Sequence, residues 1–427
     1  MLDLKRIRED PDGVRAALAR RGPAAAEALD QVIELDRARR ELLPELEGLR
    51  AEQNEANTRI RSSPEGADRE REIAAMREVS TRAKELEQQL ARVEEELHAT
   101  LAPLPNLPDP GAAPGPEDEL VKEVGTPPAL AFDARDHLEL AGAMIDMEHA
   151  AKLSGARFAY LRGELVLLEL ALVRWALEKL RGHGFEPVIP PVLVRERALF
   201  GTGFLPDTEQ QIYSLSEDEL FLVGTSEVAL ASLHDGEILE GESLPLRYAG
   251  FSPCFRREAG AAGKDTRGIF RVHQFDKVEM FSFVAGEESA SEHERILAIE
   301  EEILGELGLP YRVMNIAVGE LGNSAAKKYD CEAWIPSQGR YRELTSCSNT
   351  TDYQARRLNI RVRRSRARGG RGTETPHTLN GTAVAVGRTI VALLENGQQR
   401  DGSVELPGVL APFGAPSRLA PAESSSA

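Results

Sequence analysis

Apolar side chains recur at three- and four-residue steps through two long stretches of the first hundred residues. Such spacing places them along one face of an α-helix. Only residues 62–68, rich in Ser, Pro, Gly and Asp, separate the two stretches, so the chain must reverse there. We therefore predict an antiparallel two-helix coiled coil. The stripe positions are Leu35, Ala38, Leu42, Leu46, Leu49, Gln53, Ala56 and Ile60, followed by Ile73, Met76, Val79, Ala83, Leu86, Leu90, Val93 and Leu97.

The coiled coil admits two interpretations. A dimerisation or spacer element is the common use of such a hairpin, and an RNA-reading arm is the other. The charges do not decide between them, because residues 50–82 carry seven arginines and seven acidic side chains. A helix of about 30 residues reaches roughly 45 Å. Pro44 lies inside the first helix, where it removes one backbone donor, so we expect a kink there.

Composition changes after the hairpin. Six prolines between residues 103 and 116 predict a stiff, extended linker. We therefore divide the chain into an arm (1–105), a Pro-rich linker (106–116), a domain of mixed strands and helices (117–413) and a disordered tail (414–427). The net charge of −18 excludes a uniformly basic nucleic-acid binder. No apolar run approaches a membrane span and no signal peptide is evident, so a soluble cytoplasmic protein is expected.

Cys254, Cys331 and Cys347 are far apart and form no CxxC pair. They are interpreted as buried, unpaired thiols that pack as small hydrophobic side chains. No His or acidic partners stand at metal spacing around them, so no zinc site is expected.

Residues 254–279 hold the strongest candidate for chemistry. Residues 248–258 and 270–284 have strand-like composition and flank a Gly-rich loop at residues 259–268, a pattern typical of an antiparallel hairpin. A strand period of two places Arg256 and Glu258 on one face, and likewise Phe275, Lys277 and Glu279. A guanidinium suits phosphate and an aromatic ring suits a purine base. Taken alone, the pattern equally fits a salt-bridged strand pair with a core Phe.

Segments in a fixed order narrow this choice. The 254–279 stretch resembles motif 2 of class II aminoacyl-tRNA synthetases in its seryl form. Residues 184–191 resemble motif 1, TSE at 225–227 an amino-acid-binding element, ELTS at 343–346 an ATP and metal element, and NGTA at 380–383 with GRT at 387–389 motif 3. GTG at 201–203 and GELGNSAAKKYDCEAW from 319 also fit. Nearly the whole chain, including the hairpin, resembles bacterial-type seryl-tRNA synthetases.

The resemblance implies an α+β fold: an antiparallel sheet flanked by helices, with the N-terminal hairpin as a tRNA-binding arm. It also implies roles for individual residues. ATP is expected to contact Arg256, Arg257, Glu258, Val272, Phe275, Glu343, Leu344, Thr345, Ser346 and Arg388. Serine is expected to contact Thr225, Ser226, Glu227, Arg256, Glu279, Asn380 and Thr382. Arg256 and Arg388 are the expected catalytic residues, and Glu343 and Ser346 are expected to hold Mg²⁺.

The function implied is ATP-dependent activation of L-serine and its transfer to tRNA(Ser), and also to tRNA(Sec), by a homodimer. Two alternatives are weighed against it. A serine ligase acting on a carrier protein disagrees with the complete arm, and a non-catalytic RNA-binding relative disagrees with the intact set of site residues. Thr382 and Ala383 stand where the family often has Ser and Gly, so an added methyl at Ala383 is expected to narrow the serine pocket.

Overall fold

The computed structural model describes residues 1–62, 64–206, 211–259, 265, 267–364 and 372–422. Most of the predicted Gly-rich loop and the last five residues of the predicted tail lie outside these ranges. The chain divides into two compact units, Met1–Pro105 and Asn106–Ala427. No helix in the described part of the chain combines the length and the apolar character needed to cross a membrane.

The first unit consists of four helices, α1 (Leu4–Glu9), α2 (Pro11–Ala19), α3 (Pro23–Ser62) and α4 (Ala67–Leu101). The predicted antiparallel hairpin of α3 and α4 is confirmed. Its stripe residues Leu46, Ala83, Leu86 and Leu90 form a buried cluster. Exposed ion pairs also mark the register, because Arg50 contacts Glu87 at 2.6 Å and Arg82 contacts Glu45 at 3.2 Å. The helix α3 continues through Pro44 without interruption.

The second unit is built of eight further helices and eighteen strands within the described residues. The helices are α5 (His137–Ala141), α6 (Met147–Ser154), α7 (Glu164–Gly182), α8 (Glu196–Thr202), α9 (Glu227–Ala231), α10 (Ser289–Glu306), α11 (Tyr353–Arg357) and α12 (Val386–Asn396). The strands are β1 (Glu119–Val124), β2 (Ile145–Asp146), β3 (Tyr160–Leu161), β4 (Glu186–Val188), β5 (Leu193–Arg195), β6 (Ser214–Leu215), β7 (Leu220–Leu222), β8 (Ile238–Glu240), β9 (Leu246–Phe255), β10 (Gln274–Val284), β11 (Tyr311–Asn315), β12 (Lys327–Ile335), β13 (Arg340–Thr351), β14 (Arg361–Arg363), β15 (Thr373–Glu374), β16 (His377–Ala385), β17 (Val404–Glu405) and β18 (Arg418–Leu419).

Eight of these strands form one sheet in the order β1-β11-β12-β13-β16-β10-β9-β4. Every neighbouring pair is antiparallel except β4 with β9 at the edge. Helices α7, α10 and α12 contribute the apolar residues that form the main core with the sheet. Val278 and Met280 of β10 belong to this core. The alternate side chains of β10 therefore project from the opposite face, where the candidate site lies.

Two predicted segments differ from the structure. Residues 106–116 are not a free linker, because the Asn106 side chain donates hydrogen bonds to Ser324 O (2.9 Å) and Thr350 O (2.8 Å). The predicted tail is ordered as far as residue 422, since β18 pairs with β17 and Leu419 is buried in the core. In both segments local composition suggested an extended or disordered chain, but burial of a few apolar side chains outweighs that tendency. The three cysteines are buried and free, as predicted.

Candidate active site

The β9–β10 hairpin forms the floor of the site. Its strands are antiparallel, as the sequence predicts, and Cys254 lies opposite Phe275. The parity argument for Arg256 and Glu258 is wrong, however, because β9 ends at Phe255 and Glu258 has a left-handed φ of 52°. Arg256 still extends the ladder by one hydrogen bond, from its N–H to His273 O (2.9 Å). Both side chains reach the same cleft through this loop geometry rather than through strand alternation.

Aromatic and cationic side chains surround one end of the cleft. The Arg256 guanidinium carbon lies 5.3 Å from the centre of the Phe275 ring, and that of Arg388 lies 4.9 Å from the Phe270 ring. Arg256 Nε donates to Gly224 O at 3.2 Å, which holds the guanidinium in place. Such rings and guanidinium groups can stack on a base and pair with phosphate. This end of the cleft therefore suits a nucleoside triphosphate.

Other predicted nucleotide contacts lie close by. Glu258 forms an ion pair with Arg271 on the return side of the hairpin, and Val272 also lines the cleft. The backbone N–H of Arg257 donates to Gln211 O at 3.0 Å, so the residue after Arg256 ties the loop to a neighbouring segment. Glu258 and Val272 therefore line the cleft, whereas the contact of Arg257 involves only its backbone.

A buried acidic pocket adjoins the nucleotide end. Glu279 is 2% exposed and Glu227 is 8% exposed, and Thr225, Asn380 and Thr382 are also buried. Thr382 Oγ1 donates to Glu279 Oε2 at 3.4 Å, because the two residues are register partners on β16 and β10. Glu227 stands at the first turn of α9. Two carboxylates facing two hydroxyls and an amide form a pocket suited to a small substrate that carries an ammonium and a hydroxyl.

The protonation of Glu227 depends on this crowding. Burial, together with the nearby negative charge of Glu279, raises the pKa of Glu227 to about 7. Gln354 Nε2 donates to Glu227 Oε1 at 2.7 Å and opposes the shift by stabilising the ionised form. A cation entering the pocket would be stabilised by two carboxylates and would in turn favour their ionised states.

A β-bulge assembles the predicted metal-binding residues. Glu343 and Ser346 are three residues apart and would point to opposite faces of a regular strand. The register of β13 against β12 shifts at this point, because Thr345 pairs with Cys331 and Glu343 pairs with Glu332. The extra residue brings Glu343 and Ser346 to the same cleft.

The oxygen donors of Glu343 and Ser346 fit a magnesium ion that also takes ligands from nucleotide phosphates. Burial disfavours ionisation of Glu343, but the positive charges of Arg388, Lys328 and Arg256 outweigh it and lower the pKa of the carboxyl. The carboxylate is therefore available as a ligand. Across the described ranges, no set of three or more His, Cys, Asp or Glu side chains forms a metal cage.

Two predicted contacts, Ser226 and Thr345, and the predicted effect of Ala383 differ from the structure. Ser226 is fully buried and its side chain packs against the backbone of β9 at Gly250. The contact is close, because a Cβ added to Gly250 would lie 3.0 Å from the Ser226 hydroxyl oxygen. Thr345 Oγ1 donates to the buried Glu300 at 2.9 Å, on the face away from the cleft. Leu344 belongs to the core and also borders the cleft, where it was predicted. Ala383 also belongs to the core, so its methyl does not narrow the pocket.

The sequence assigned no role to two pocket residues, Lys277 and Gln354. The Lys277 ammonium donates to Thr225 Oγ1 at 2.8 Å and pairs with Glu279. Strand alternation placed Lys277 on one face with Phe275 and Glu279, but the sequence assigned it no role. Gln354 carried no comparable signal, because it is 127 residues from Glu227 in sequence and reaches it only through the fold.

Comparison with known proteins matches both units. Residues 1–108 match the model of the seryl-tRNA synthetase N-terminal domain, and residues 211–397 match the model of the class II tRNA synthetase core domain (G, H, P, S and T). Serine–tRNA ligase from Acidothermus cellulolyticus is 50% identical over 419 residues, which cover 96% of this chain and 97% of that protein. Serine–tRNA ligase from Streptomyces coelicolor is 49% identical over 420 residues, covering 97% of each.

Solved structures agree with these matches. Seryl-tRNA synthetase from Pyrococcus horikoshii, crystallised with ATP, superposes with a TM-score of 0.91 at 42% identity, covering 99% of this chain and 100% of that chain. The cytoplasmic serine–tRNA ligase from Naegleria fowleri, solved with AMP, has a TM-score of 0.86 at 31% identity and covers 98% of each chain. Prolyl-tRNA synthetase from Giardia lamblia is 17% identical with a TM-score of 0.54, a likeness of fold alone.

Proposed function

Because this chain belongs to the seryl-tRNA synthetases of class II, we propose that its cleft activates L-serine with ATP and delivers the seryl group to tRNA(Ser). The enzyme is a serine–tRNA ligase, as its relatives over nearly the full length are. One observation supports the use of this particular cleft. Phe275 at the nucleotide end and Glu279 in the acidic pocket share one face of β10 and lie four residues apart.

The reaction follows from these placements. Glu227 and Thr225 hold the serine ammonium, and Glu279 accepts a hydrogen bond from the serine hydroxyl. The serine carboxylate then lies towards Arg256, beside the α-phosphate of ATP. One carboxylate oxygen attacks the α-phosphorus, the bond to the bridging oxygen breaks, and pyrophosphate leaves. Arg256 and Arg388 stabilise the charge that develops, so positioning and electrostatics supply the acceleration without a covalent enzyme intermediate.

Selectivity for serine has a physical basis in the same pocket. Alanine lacks the hydroxyl, so it would leave the buried Glu279 carboxylate without its hydrogen bond. An unsatisfied buried charge of this kind is costly. Thr382 closes the pocket on the other side, 3.4 Å from Glu279. We propose that this wall limits the space for the extra methyl of threonine.

Mg²⁺ is the cofactor that Glu343 and Ser346 would hold. Bound there, it would neutralise charge on the ATP phosphates. The ionised state of Glu343 supports this role, because the surrounding cations lower the pKa of the carboxyl against the effect of burial. Excess EDTA should therefore stop the activation step, and undiminished activity in EDTA would contradict the metal assignment.

The α3–α4 hairpin is proposed to bind tRNA, and the enzyme to act as a homodimer. The match of residues 1–108 to the family's N-terminal domain supports the arm and argues against a carrier-protein ligase. Exposed apolar side chains on α7, namely Val166, Leu167 and Leu170, support a subunit interface beside motif 1. We divide the chain functionally at Pro105, with the catalytic domain beginning at Asn106. Charging of a tRNA(Sec) transcript tests the second substrate, and cell fractionation tests the proposed cytoplasmic location.

The central experiment is ATP–pyrophosphate exchange with each of the twenty amino acids, followed by charging of bulk tRNA. Serine alone should support strong exchange. Arg256→Ala should abolish it, because the guanidinium would no longer neutralise charge at the α-phosphate. The matched control is Arg295→Ala, which removes a guanidinium from α10 that stacks on Phe185 in the core, away from the cleft. Near-normal exchange by the Arg256 variant would refute the assignment of this cleft.

A further inference from the structure

Lys277 is the fourth residue of β10 and is unusual in its burial. The residue is 6% exposed, whereas lysine is almost never fully buried without a partner. Its ammonium donates to Thr225 Oγ1 at 2.8 Å and forms an ion pair with Glu279. In the proposed function, Thr225 contacts the serine ammonium and Glu279 the serine hydroxyl. Lys277 thus joins the residues that contact the two ends of the amino acid.

We propose that Lys277 is a positioning residue for serine. Its ammonium fixes the positions of Thr225 and Glu279 relative to each other. It also sets the net charge of the pocket, so that the single ammonium of the substrate neutralises it. This inference rests on the proposed serine pocket and adds to it a residue that the expected set of contacts does not contain.

The charge balance gives the proposal its physical content. Glu227 and Glu279 are two buried carboxylates in one pocket, and Lys277 is the ammonium paired with Glu279. With both carboxylates ionised, the three side chains carry one net negative charge. The ammonium of serine neutralises that charge. Without Lys277 the pocket would carry two negative charges, and close carboxylates respond to such crowding by taking up a proton. A protonated carboxyl is a poor counter-ion for the serine ammonium.

The alternative is direct contact of Lys277 with ATP, since Lys277 also borders the nucleotide cleft. The observed contacts favour positioning, because the ammonium is already engaged by Thr225 and Glu279. The two roles predict different kinetic effects. A phosphate contact would affect the KM for ATP, whereas a positioning role affects the KM for serine.

The test is steady-state ATP–pyrophosphate exchange by the full-length enzyme, with Lys277→Met compared against the parent. Loss of charge-assisted hydrogen bonds should raise the KM for serine at least about tenfold. The KM for ATP should change by less than about threefold, within the scatter of surface substitutions. Lys179→Met is the matched control, because Lys179 also joins two carboxylates, Glu302 and Glu306, at 2.7 and 2.8 Å but lies outside the cleft. That control should leave both KM values unchanged.

A second readout is the pH dependence of kcat/KM for serine. The groups facing Glu227 are Glu279 and Lys277 from β10, Gln354 from α11 and Asn380 from β16. Removing the one cation among them should move the acid limb of the profile to higher pH, which a merely structural defect would not do. Lys277→Gln keeps an N–H donor but not the charge, and the same two changes are expected of it if Lys277→Met does not fold.

Equal increases in both KM values, or a serine KM within about threefold of the parent in either folded variant, would overturn the proposal. Failure of the proposed function is a separate outcome. In that case the parent enzyme itself shows no serine-dependent exchange. If the parent is active and Arg256→Ala is inactive while Lys277→Met behaves normally, only the positioning role is wrong.

Discussion

Replacing Glu227 by Gln should remove a pH dependence of serine activation that the parent enzyme shows near neutrality. Burial and the charge of Glu279 raise the pKa of Glu227 to about 7 in the free protein, from an ordinary 4.5. The serine ammonium requires the ionised carboxylate. As pH falls through 7, kcat/KM for serine should therefore decrease, by about tenfold for each pH unit once protonation dominates.

The assay is ATP–pyrophosphate exchange at saturating ATP, with the serine concentration varied at each pH between about 5.5 and 8.5. This range brackets the pKa of the free enzyme, which is the pKa that kcat/KM reports. The KM for ATP at each pH is the internal control for titration of the nucleotide. Glu227→Gln should give a flat profile in this range. Its plateau should lie about 10- to 150-fold below that of the parent, the loss expected for a hydrogen bond to a charged group.

The same shift predicts an effect on stability, with a defined sign. The folded protein holds the Glu227 proton up to about pH 7, whereas the unfolded chain releases it near 4.5. The contribution to stability is therefore fully present below the unfolded pKa and is lost as pH rises through 7. At higher pH the buried charge costs about 3 kcal/mol, from roughly 1.4 kcal/mol per pKa unit. Glu227→Gln should accordingly raise the melting temperature above neutrality but not in acid.

Two results would refute this reasoning. The first is a parent profile for serine that stays level between about pH 8 and 6, because a pKa near 7 requires a decrease there. The second is a Glu227→Gln variant that retains the acid limb of the parent. Glu227 would then not be the titrating group that controls serine binding.

Two further predictions concern the arm and the dimer. Replacing residues 46–81 by a short Gly-rich turn keeps the Glu45–Arg82 ion pair at the new tip. This variant should retain pyrophosphate exchange but lose at least about 100-fold in tRNA charging, because loss of several phosphate contacts weakens RNA binding steeply. Normal charging would contradict the proposed arm. Leu170→Asp places a charge on an exposed apolar face of α7 and should weaken dimerisation at least about 100-fold, since burying two unpaired carboxylates costs several kcal/mol. Light scattering would measure the change, Ile73→Asp on α4 is the matched control, and an unchanged dimer would exclude this face as the interface.

The sequence by itself determined the elements and much of the site. Helical periodicity predicted the α3–α4 hairpin, because a turn of seven residues leaves the two apolar stripes no arrangement but antiparallel contact. Strand alternation placed Phe275 and Glu279 on one face of β10. The resemblance supplied roles for individual residues, and most of those residues converge on one cleft. This part could be predicted because each inference depends on local geometry or on an ordered set of motifs.

Tertiary structure decided what local patterns could not. The bulge in β13 brings Glu343 and Ser346 together, and it turns Thr345 towards Glu300. Register with β10 places Thr382 at Glu279, while Ala383 packs into the core. A one-residue shift moves a side chain from one face of a sheet to the other, and pairing with neighbouring strands sets that shift. The pKa of Glu227 likewise depends on the tertiary structure, because Gln354 donates a hydrogen bond to it from a helix that is distant in sequence.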